Sequence, residues 1–289
     1  MNTLLVQAIK KAGQIRTRLK LNMFEPVNIF DICSSFEVDV QFVSINMEGM
    51  YLDVEGMAKK RIVLSNLRPF PRRIFTCAHE LGHHIFGHGT KVDGLIEEGV
   101  TDSVYDSDEE LVDGFAGAFL MPIPGIEAEF TKRKWNMKAA TPTQFFTISS
   151  VFGVGYSTLV THCKANRLIT VTQSITLLKQ SPAKILQSLM GEKVNLSHFK
   201  LLDTAASLNS VDLEVGNYLF LPPTKTVEGT HLELYKKTAC GNAYVTNHSG
   251  VTRAVCSLTG KSFFIRIQNA GYIGFSEYRH LEDKIKCYE

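Results

Sequence analysis

The stretch Arg73-Ile-Phe-Thr-Cys-Ala-His-Glu-Leu-Gly-His-His-Ile-Phe86 contains a pair of histidines, His79 and His83, four positions apart. Residues at this spacing on an α-helix project from the same face, so the two imidazoles can hold one metal ion. Glu80 directly follows the first histidine, where its carboxylate can reach a metal-bound water without being a ligand itself. This arrangement is the core of a zinc hydrolase, and it predicts His79 and His83 as ligands and Glu80 as the general base.

The residues around the histidines predict a helix that has a buried face of its own. Apolar side chains recur at helical spacing at Ile74, Ala78, Leu81 and Ile85. Pro71 suits the first turn of this helix, and Gly87 and Gly89 suit its end. Gly82 costs about 1 kcal/mol relative to Ala inside a helix. We therefore expect another element to approach the helix closely at Gly82.

A catalytic zinc usually has three protein ligands and one open position, so a third ligand must lie elsewhere in the chain. The next acidic cluster spans residues 106–113 and runs into an apolar segment with helical spacing that ends at Pro122. Glu109 and Asp113 lie one helical turn apart in it. They offer a ligand carboxylate and a second carboxylate that can orient a ligand histidine. Glu110 is the alternative third ligand.

Three blocks of this sequence resemble the ImmA/IrrE family of metallopeptidases. The blocks are Phe75-Thr-Cys-Ala-His-Glu-Leu-Gly-His83, then Glu109 with Asp113, and then Phe115-Ala-Gly-Ala-Phe-Leu-Met-Pro122. The resemblance implies His79, His83 and Glu109 on the metal and Glu80 as the catalytic glutamate. The chain departs from the family pattern at Leu111, Gly117 and Phe119. The residue that stabilises the oxyanion is not identified, although His88 and Tyr105 are near in sequence.

The resemblance implies a zinc-dependent endopeptidase that cuts one specific protein. Members of the family cleave a transcriptional repressor, often of the XRE type, in a stress or mobile-element response. Mn²⁺ is an alternative metal because histidine and carboxylate ligands accept it. Two other hypotheses are a metal-containing sensor or transcription regulator that binds DNA through residues 142–168, and a toxin–antitoxin component. Glu80 favours the enzyme, since a structural zinc needs no general base beside its ligands.

The pattern of elements predicts an α+β protein in three parts. Residues 1–140 are expected to form a mainly helical domain with a small sheet, including a helix over 2–19 and a strand over 38–43. For this domain the family resemblance implies a zincin-like peptidase with a further strand over 62–66. Residues 141–169 read as a helix-turn-helix. Residues 170–289 are expected to form an α+β domain, for which the family resemblance implies a sensor of the GAF type. In this domain, 169–178 looks strand-like, 183–190 helical, and 218–275 an antiparallel sheet.

The helix-turn-helix segment carries few basic residues. Its second helix has Lys164, with Arg167 just beyond, and the formal net charge of the whole chain is only +2, which gives weak grounds for binding phosphates. We therefore expect this segment to pack against the peptidase core and to bind DNA weakly, if at all.

Composition limits the class of protein. With 44% hydrophobic and 21% charged residues, the chain is typical of a soluble globular protein, and its 289 residues suffice for two domains. The N-terminus has a very short apolar run followed by basic residues, the wrong order for a signal peptide and too short to span a membrane. No Cys-Xaa-Xaa-Cys spacing occurs, so we expect reduced thiols in a cytoplasmic protein. The cysteines are Cys33, Cys77, Cys163, Cys240, Cys256 and Cys287.

Overall fold

The structure, a computed structural model, describes residues 3–56, 58–92, 106–194 and 198–281. These residues form an α+β fold, as the sequence predicts. The helices are α1 (Thr3–Arg18), α2 (Ile29–Ser34), α3 (Phe70–Phe86), α4 (Ser107–Leu120), α5 (Ile123–Lys132), α6 (Pro142–Phe152), α7 (Tyr156–Ala165), α8 (Val171–Leu178) and α9 (Pro182–Met190).

A five-stranded sheet supports the N-terminal helices. Its strands in the first part of the chain are β1 (Val38–Val43), β2 (Gly49–Leu52), β3 (Lys60–Ser65) and β4 (Lys91–Val92). Strands β1 and β3 pair in parallel, and β2 pairs antiparallel with both β3 and β4. The fifth strand, Gly274–Phe275, comes from the far end of the chain and pairs with β1. The C-terminal region therefore covers one edge of the N-terminal sheet.

Residues 198–281 form two four-stranded sheets that share one cluster of buried apolar side chains. The strands in chain order are β5 (Phe199–Leu201), β6 (Ser210–Glu214), β7 (Tyr218–Leu221), β8 (Lys225–Val227), β9 (Leu232–Thr238), β10 (Gly241–Thr246), β11 (Gly250–Cys256) and β12 (Ser262–Gln268), with Gly274–Phe275 as β13. One sheet has the order β5-β7-β10-β9 and the other β6-β12-β11-β8. The helix in residues 198–281 is a single 3-10 turn, Ser276–Tyr278. The resemblance to a GAF-type sensor stays a prediction.

Two expectations for the C-terminal half are wrong. The strand-like stretch 169–178 is a helix, α8, because the Thr170 hydroxyl accepts a hydrogen bond from Gln173 N at 3.1 Å and so caps its first turn. Only one antiparallel sheet was expected over 218–275. The pairings between strands of this stretch are antiparallel, as expected, but the strands divide between two sheets. Each sheet also has a parallel pair with an earlier strand, β5 with β7 and β6 with β12.

The pair α6–α7 packs against α4. His162 of α7 is buried, and its Nε2 lies 3.0 Å from the carbonyl oxygen of Met121 at the end of α4. Burial lowers the pKa of His162 to about 4, so the ring is neutral at pH 7. A Cβ at Gly117 would lie 2.5 Å from His162 Nδ1. This contact explains why a glycine replaces the commoner residue of the family pattern at position 117.

One apolar stretch within the described residues is long enough to cross a membrane by composition alone. It is Ser107–Lys132, which contains α4 and α5, and 67% of its most apolar window is buried inside the protein. Burial of this kind is typical of a core helix.

The described cysteines are free thiols: Cys33, Cys77, Cys163, Cys240 and Cys256. Cys287 lies outside the described residues. Cys77 Sγ faces Cys33 Sγ at 3.6 Å, on the side of α3 that packs against α2. Cys77 therefore points away from the two histidines, and desolvation by burial raises the pKa of its thiol.

Candidate metal centre

Helix α3 presents His79 and His83 together. It begins with Pro71 in its first turn and ends at Gly87, whose φ of 76° is left-handed and suits glycine. Both histidines are buried, and their Nε2 atoms lie 3.2 Å apart. The i, i+4 spacing thus produces the convergence of imidazoles that the sequence predicts.

Helix α4 brings a carboxylate to the same point. Glu109, in the first turn of α4, places Oε2 3.1 Å from His79 Nε2 and Oε1 3.4 Å from His83 Nε2. The two helices approach closely at Gly82, where a Cβ would lie 3.0 Å from the Cβ of Val112. Gly82 therefore makes room for the helix that carries the carboxylate.

The donor atoms fit a divalent metal ion. His79, His83 and Glu109 offer two imidazole nitrogens and a carboxylate oxygen, and these atoms all lie within 4.8 Å of one another. Two nitrogens on a tetrahedral zinc, each at about 2.05 Å, would be about 3.3 Å apart. The observed nitrogen–nitrogen separation of 3.2 Å is close to that value. Glu110, the alternative ligand, lies next to a groove instead.

Asp113 supports His79 from the next turn of α4. Its Oδ1 lies 2.8 Å from His79 Nδ1. With the Nδ1 proton donated to this carboxylate, the Nε2 lone pair is left facing Glu109 and His83. Such a hydrogen bond fixes the tautomer and the ring orientation of a metal-binding histidine.

His88 contacts the outward nitrogen of His83, as Asp113 contacts that of His79. The sequence alone did not reveal this role of His88. His88 Nδ1 lies 3.0 Å from His83 Nδ1, and His88 Nε2 lies 3.7 Å from Asp108 Oδ1. His88 therefore lies on the far side of His83 from the converging donors, not where an oxyanion would form. Gly87, which has a left-handed backbone conformation, reverses the chain just before His88. This glycine cap was the feature of the sequence that could have indicated the position of His88. Tyr105 lies outside the described residues.

Glu80 and His84 are the remaining polar side chains of this part of α3. Glu80 is fully buried, and its place directly after His79 keeps it in the same turn of the helix. His84 is turned towards the sheet, where its Nδ1 lies 2.8 Å from the Tyr51 hydroxyl of β2. Burial lowers the pKa of His84. His84 therefore belongs to the packing of α3 on the sheet.

A groove of about 570 Å³ begins beside the metal centre. Asp113 and Glu110 line one end, and Phe75, one turn before His79, lines its wall. Thr161 and Ala165 of α7 also line the groove. A second groove of about 530 Å³ shares Phe75 and part of α7 with the first. Grooves of this size can accept a stretch of polypeptide.

Comparison with protein families agrees with this geometry. Residues 33–164 match the family model Peptidase M78, the IrrE N-terminal-like domain. The match begins in α2 and ends in α7, so it includes both histidines, Glu80 and Glu109. No curated protein matches the chain. Residues 33–164 are therefore similar to the IrrE N-terminal-like domain of the Peptidase M78 family, and this similarity supports a metallopeptidase that acts with a divalent metal.

Proposed function

We propose that this protein is a zinc-dependent endopeptidase that cleaves a specific protein substrate, a transcriptional repressor of the XRE type, in a stress or mobile-element response. The observation that carries the proposal is the convergence of two imidazole nitrogens and the Glu109 carboxylate within 4.8 Å. The fully buried Glu80 follows the first of these histidines.

The chemistry divides between the ion and the chain. When bound, zinc supplies Lewis acidity, which polarises the scissile carbonyl and makes an attacking water more acidic. Glu80 accepts the proton of the attacking water and delivers it to the nitrogen of the leaving amine. Asp113 and His88 hold the outward Nδ1 atoms of His79 and His83, so both rings keep the orientation that directs Nε2 inward.

The metal is the first test. We expect about one zinc per chain, lost on His79→Ala, His83→Ala or Glu109→Ala, because each change removes one of three protein ligands. Elemental analysis of the purified protein measures this directly. Mn²⁺ in place of Zn²⁺ would change the metal and leave the site unchanged.

Glu110→Ala is the matched control for Glu109→Ala, since the two glutamates are adjacent and Glu109 is the one whose carboxylate converges with the two histidines. It should retain the metal. Loss of zinc in Glu110→Ala with full occupancy in Glu109→Ala would move the third ligand by one residue. Full occupancy in His79→Ala would end the proposal of a metal site.

The groove beside Asp113 supports a substrate that binds as an extended segment. Thr161 is exposed on its wall, so Thr161→Trp should obstruct the groove without touching the metal ligands. We expect cleavage of the substrate to fall about tenfold or more, which corresponds to about 1.4 kcal/mol of binding. Rates of repressor cleavage, measured alongside zinc content, test this.

Thr172→Trp is the control for this change, since Thr172 is an exposed threonine on α8 outside the groove. It should cleave as well as the wild type. An undiminished rate in Thr161→Trp would show that the substrate does not use this groove.

The rival function is a transcription regulator that binds DNA through the α6–α7 pair. The burial of His162 and Cys163 against the peptidase core supports a scaffold role instead. We expect binding to duplex DNA to be weak, independent of sequence and abolished by moderate salt. A sequence-selective footprint at physiological salt, with an affinity in the nanomolar range, would favour the regulator.

A further inference from the structure

A small cavity lies where three regions of the protein meet. Its volume is about 120 Å³. The regions that line it are the start of α2, the end of α6 and the first strands of the C-terminal sheets, and among the lining residues are Asn28, Ile74, Ser150, Lys200, Asp212 and Arg266. The cavity is separate from the grooves beside the metal centre, apart from the few residues it shares with the second of them, which include Ser150 and Lys200.

Lys200 is the unusual residue of this cavity. It is only 9% exposed, and across residues 3–56, 58–92, 106–194 and 198–281 its ammonium makes no hydrogen bond or ion pair. Lys225, another lysine that is 9% exposed, donates to the carbonyl oxygen of Ala206 at 3.3 Å. Burial lowers the pKa of Lys200 to about 8, against the opposing effect of Asp212. A largely buried ammonium that has no partner among these residues is costly.

Two residues that line this cavity each carry a buried donor that also lacks an acceptor within the described chain, Asn28 Nδ2 and Arg266 Nε. The other polar atoms of these side chains are occupied. Asn28 Oδ1 accepts from Phe30 N at 3.2 Å and caps α2, and Arg266 binds Asp212 through another nitrogen at 2.6 Å. All three unsatisfied groups are donors. A ligand that can satisfy three donors is one whose polar atoms are all hydrogen-bond acceptors.

The charges around the cavity also favour an anion. The Asp212 carboxylate forms ion pairs with two arginines, Arg266 at 2.6 Å and Arg279 at 3.1 Å. Asp31 lies 3.7 Å from Arg266, and its side chain is 65% exposed and hence well screened. Glu25, which also lines the cavity, is exposed. Each of these carboxylates is therefore either paired with arginine or exposed to solvent, and none of them forms an ion pair with Lys200.

We propose that this cavity binds a small oxyanion, a phosphate or a carboxylate, through Lys200 Nζ, Asn28 Nδ2 and Arg266 Nε. The bound anion supplies the acceptors that the three donors lack. Ile74 of α3 forms part of the wall, so the ligand touches the helix that carries His79 and His83 as well as the C-terminal strands. It thereby joins the C-terminal sheets to the metal-binding helix.

Thermal unfolding of the full chain, with sodium phosphate or sodium acetate replacing sodium chloride at constant ionic strength, tests this site. We expect Tm to rise by about 2 °C or more and to saturate with one of the two anions. A response to phosphate alone assigns a phosphate, and a response to acetate alone assigns a carboxylate. A wild-type protein that responds to neither anion overturns the proposal.

Lys200→Met should abolish the response. Without added anion this variant should unfold at the same temperature as the wild type or higher, because a buried unpaired charge is replaced by an apolar chain. Lys225→Met is the control and should keep the response. A lysine with a purely structural role would give a lower Tm on replacement and an anion response equal to that of the wild type, and that result contradicts the site.

Asn28→Ser provides a second variant that does not depend on Lys200. Serine keeps the oxygen that caps α2 and lacks the Nδ2 donor. Titration calorimetry with the anion that raises Tm should give a several-fold weaker Kd for Asn28→Ser. If Kd is unchanged in both Asn28→Ser and Lys200→Met, the anion does not bind in this cavity.

Discussion

Glu80→Gln is expected to lower the rate of substrate cleavage by about 10²–10⁴-fold while zinc content and fold stay unchanged. Glutamine has the size of glutamate and leaves both imidazoles of α3 in place. What it removes is the group that accepts the proton of the attacking water and returns it to the leaving amine. The assay is co-expression with the substrate proposed above, an XRE-type repressor, followed by immunoblotting for a discrete fragment.

The matched control is Glu127→Gln, the same substitution at an exposed position of α5. It should cleave at the wild-type rate. Zinc analysis of Glu80→Gln separates loss of the base from loss of the metal, because Glu80 is not one of the three converging donors. Wild-type cleavage by Glu80→Gln would show that the protein is not a peptidase of this mechanism and would favour the regulator.

Local periodicity explains why most of the candidate metal site could be predicted from the sequence. His79 and His83 are fixed relative to each other by one helical turn, and so are Glu109 and Asp113. The choice between Glu109 and Glu110 depends on how α4 is rotated about its own axis. That rotation is set by tertiary contacts, among them the approach of Val112 to Gly82, which no local pattern encodes.

The partner of His83 was missed for a related reason. His88 lies beyond the end of α3, where helical spacing no longer applies. The left-handed backbone at Gly87 turns the chain back, and only this turn brings His88 to 3.0 Å from His83 Nδ1. Gly87 was recognised as a helix end, but the direction of the chain after it could not be derived from the sequence.

The fold was predictable where apolar residues recur at regular spacing, as in β1 and the helices α1, α3, α6 and α7. It was not predictable in α8, where Val171, Thr172 and Ile175 have β-branched side chains that favour strands, and a helix forms nevertheless. Long-range pairing was also hidden. Strand β13 joins β1 through Gln41 and Phe275, residues far apart in the chain.

A buried ion pair provides the second large effect, this time on stability. Arg73 of α3 and Glu214 of β6 are 2% and 6% exposed, and Arg73 Nη2 lies 2.5 Å from Glu214 Oε1. Gln268 donates to the same oxygen at 3.1 Å, and the Arg73 guanidinium lies over the rings of Phe42 and Phe70. The pair joins α3 to the C-terminal sheets.

Arg73→Met should lower the free energy of unfolding by about 3–5 kcal/mol, because it leaves the Glu214 carboxylate buried without its counter-charge. Denaturant unfolding at pH 7 measures the change. Arg72→Met is the control next to it in sequence. The Arg72 side chain is 57% exposed and pairs with Glu48 at 2.6 Å, so its loss should cost less than about 1 kcal/mol.

The double variant Arg73→Met with Glu214→Leu separates the attraction of the pair from the cost of burying one charge alone. Replacing both members of a buried pair by apolar residues is often close to neutral, so the double variant should regain most of the stability that Arg73→Met loses. If it instead loses as much as Arg73→Met, the damage comes from the contacts of the guanidinium with Phe42 and Phe70, and the ion pair is not what holds α3 to β6. If Arg73→Met costs no more than Arg72→Met, α3 and the C-terminal sheets are joined by other contacts, and the pair has no large part in the stability of the fold.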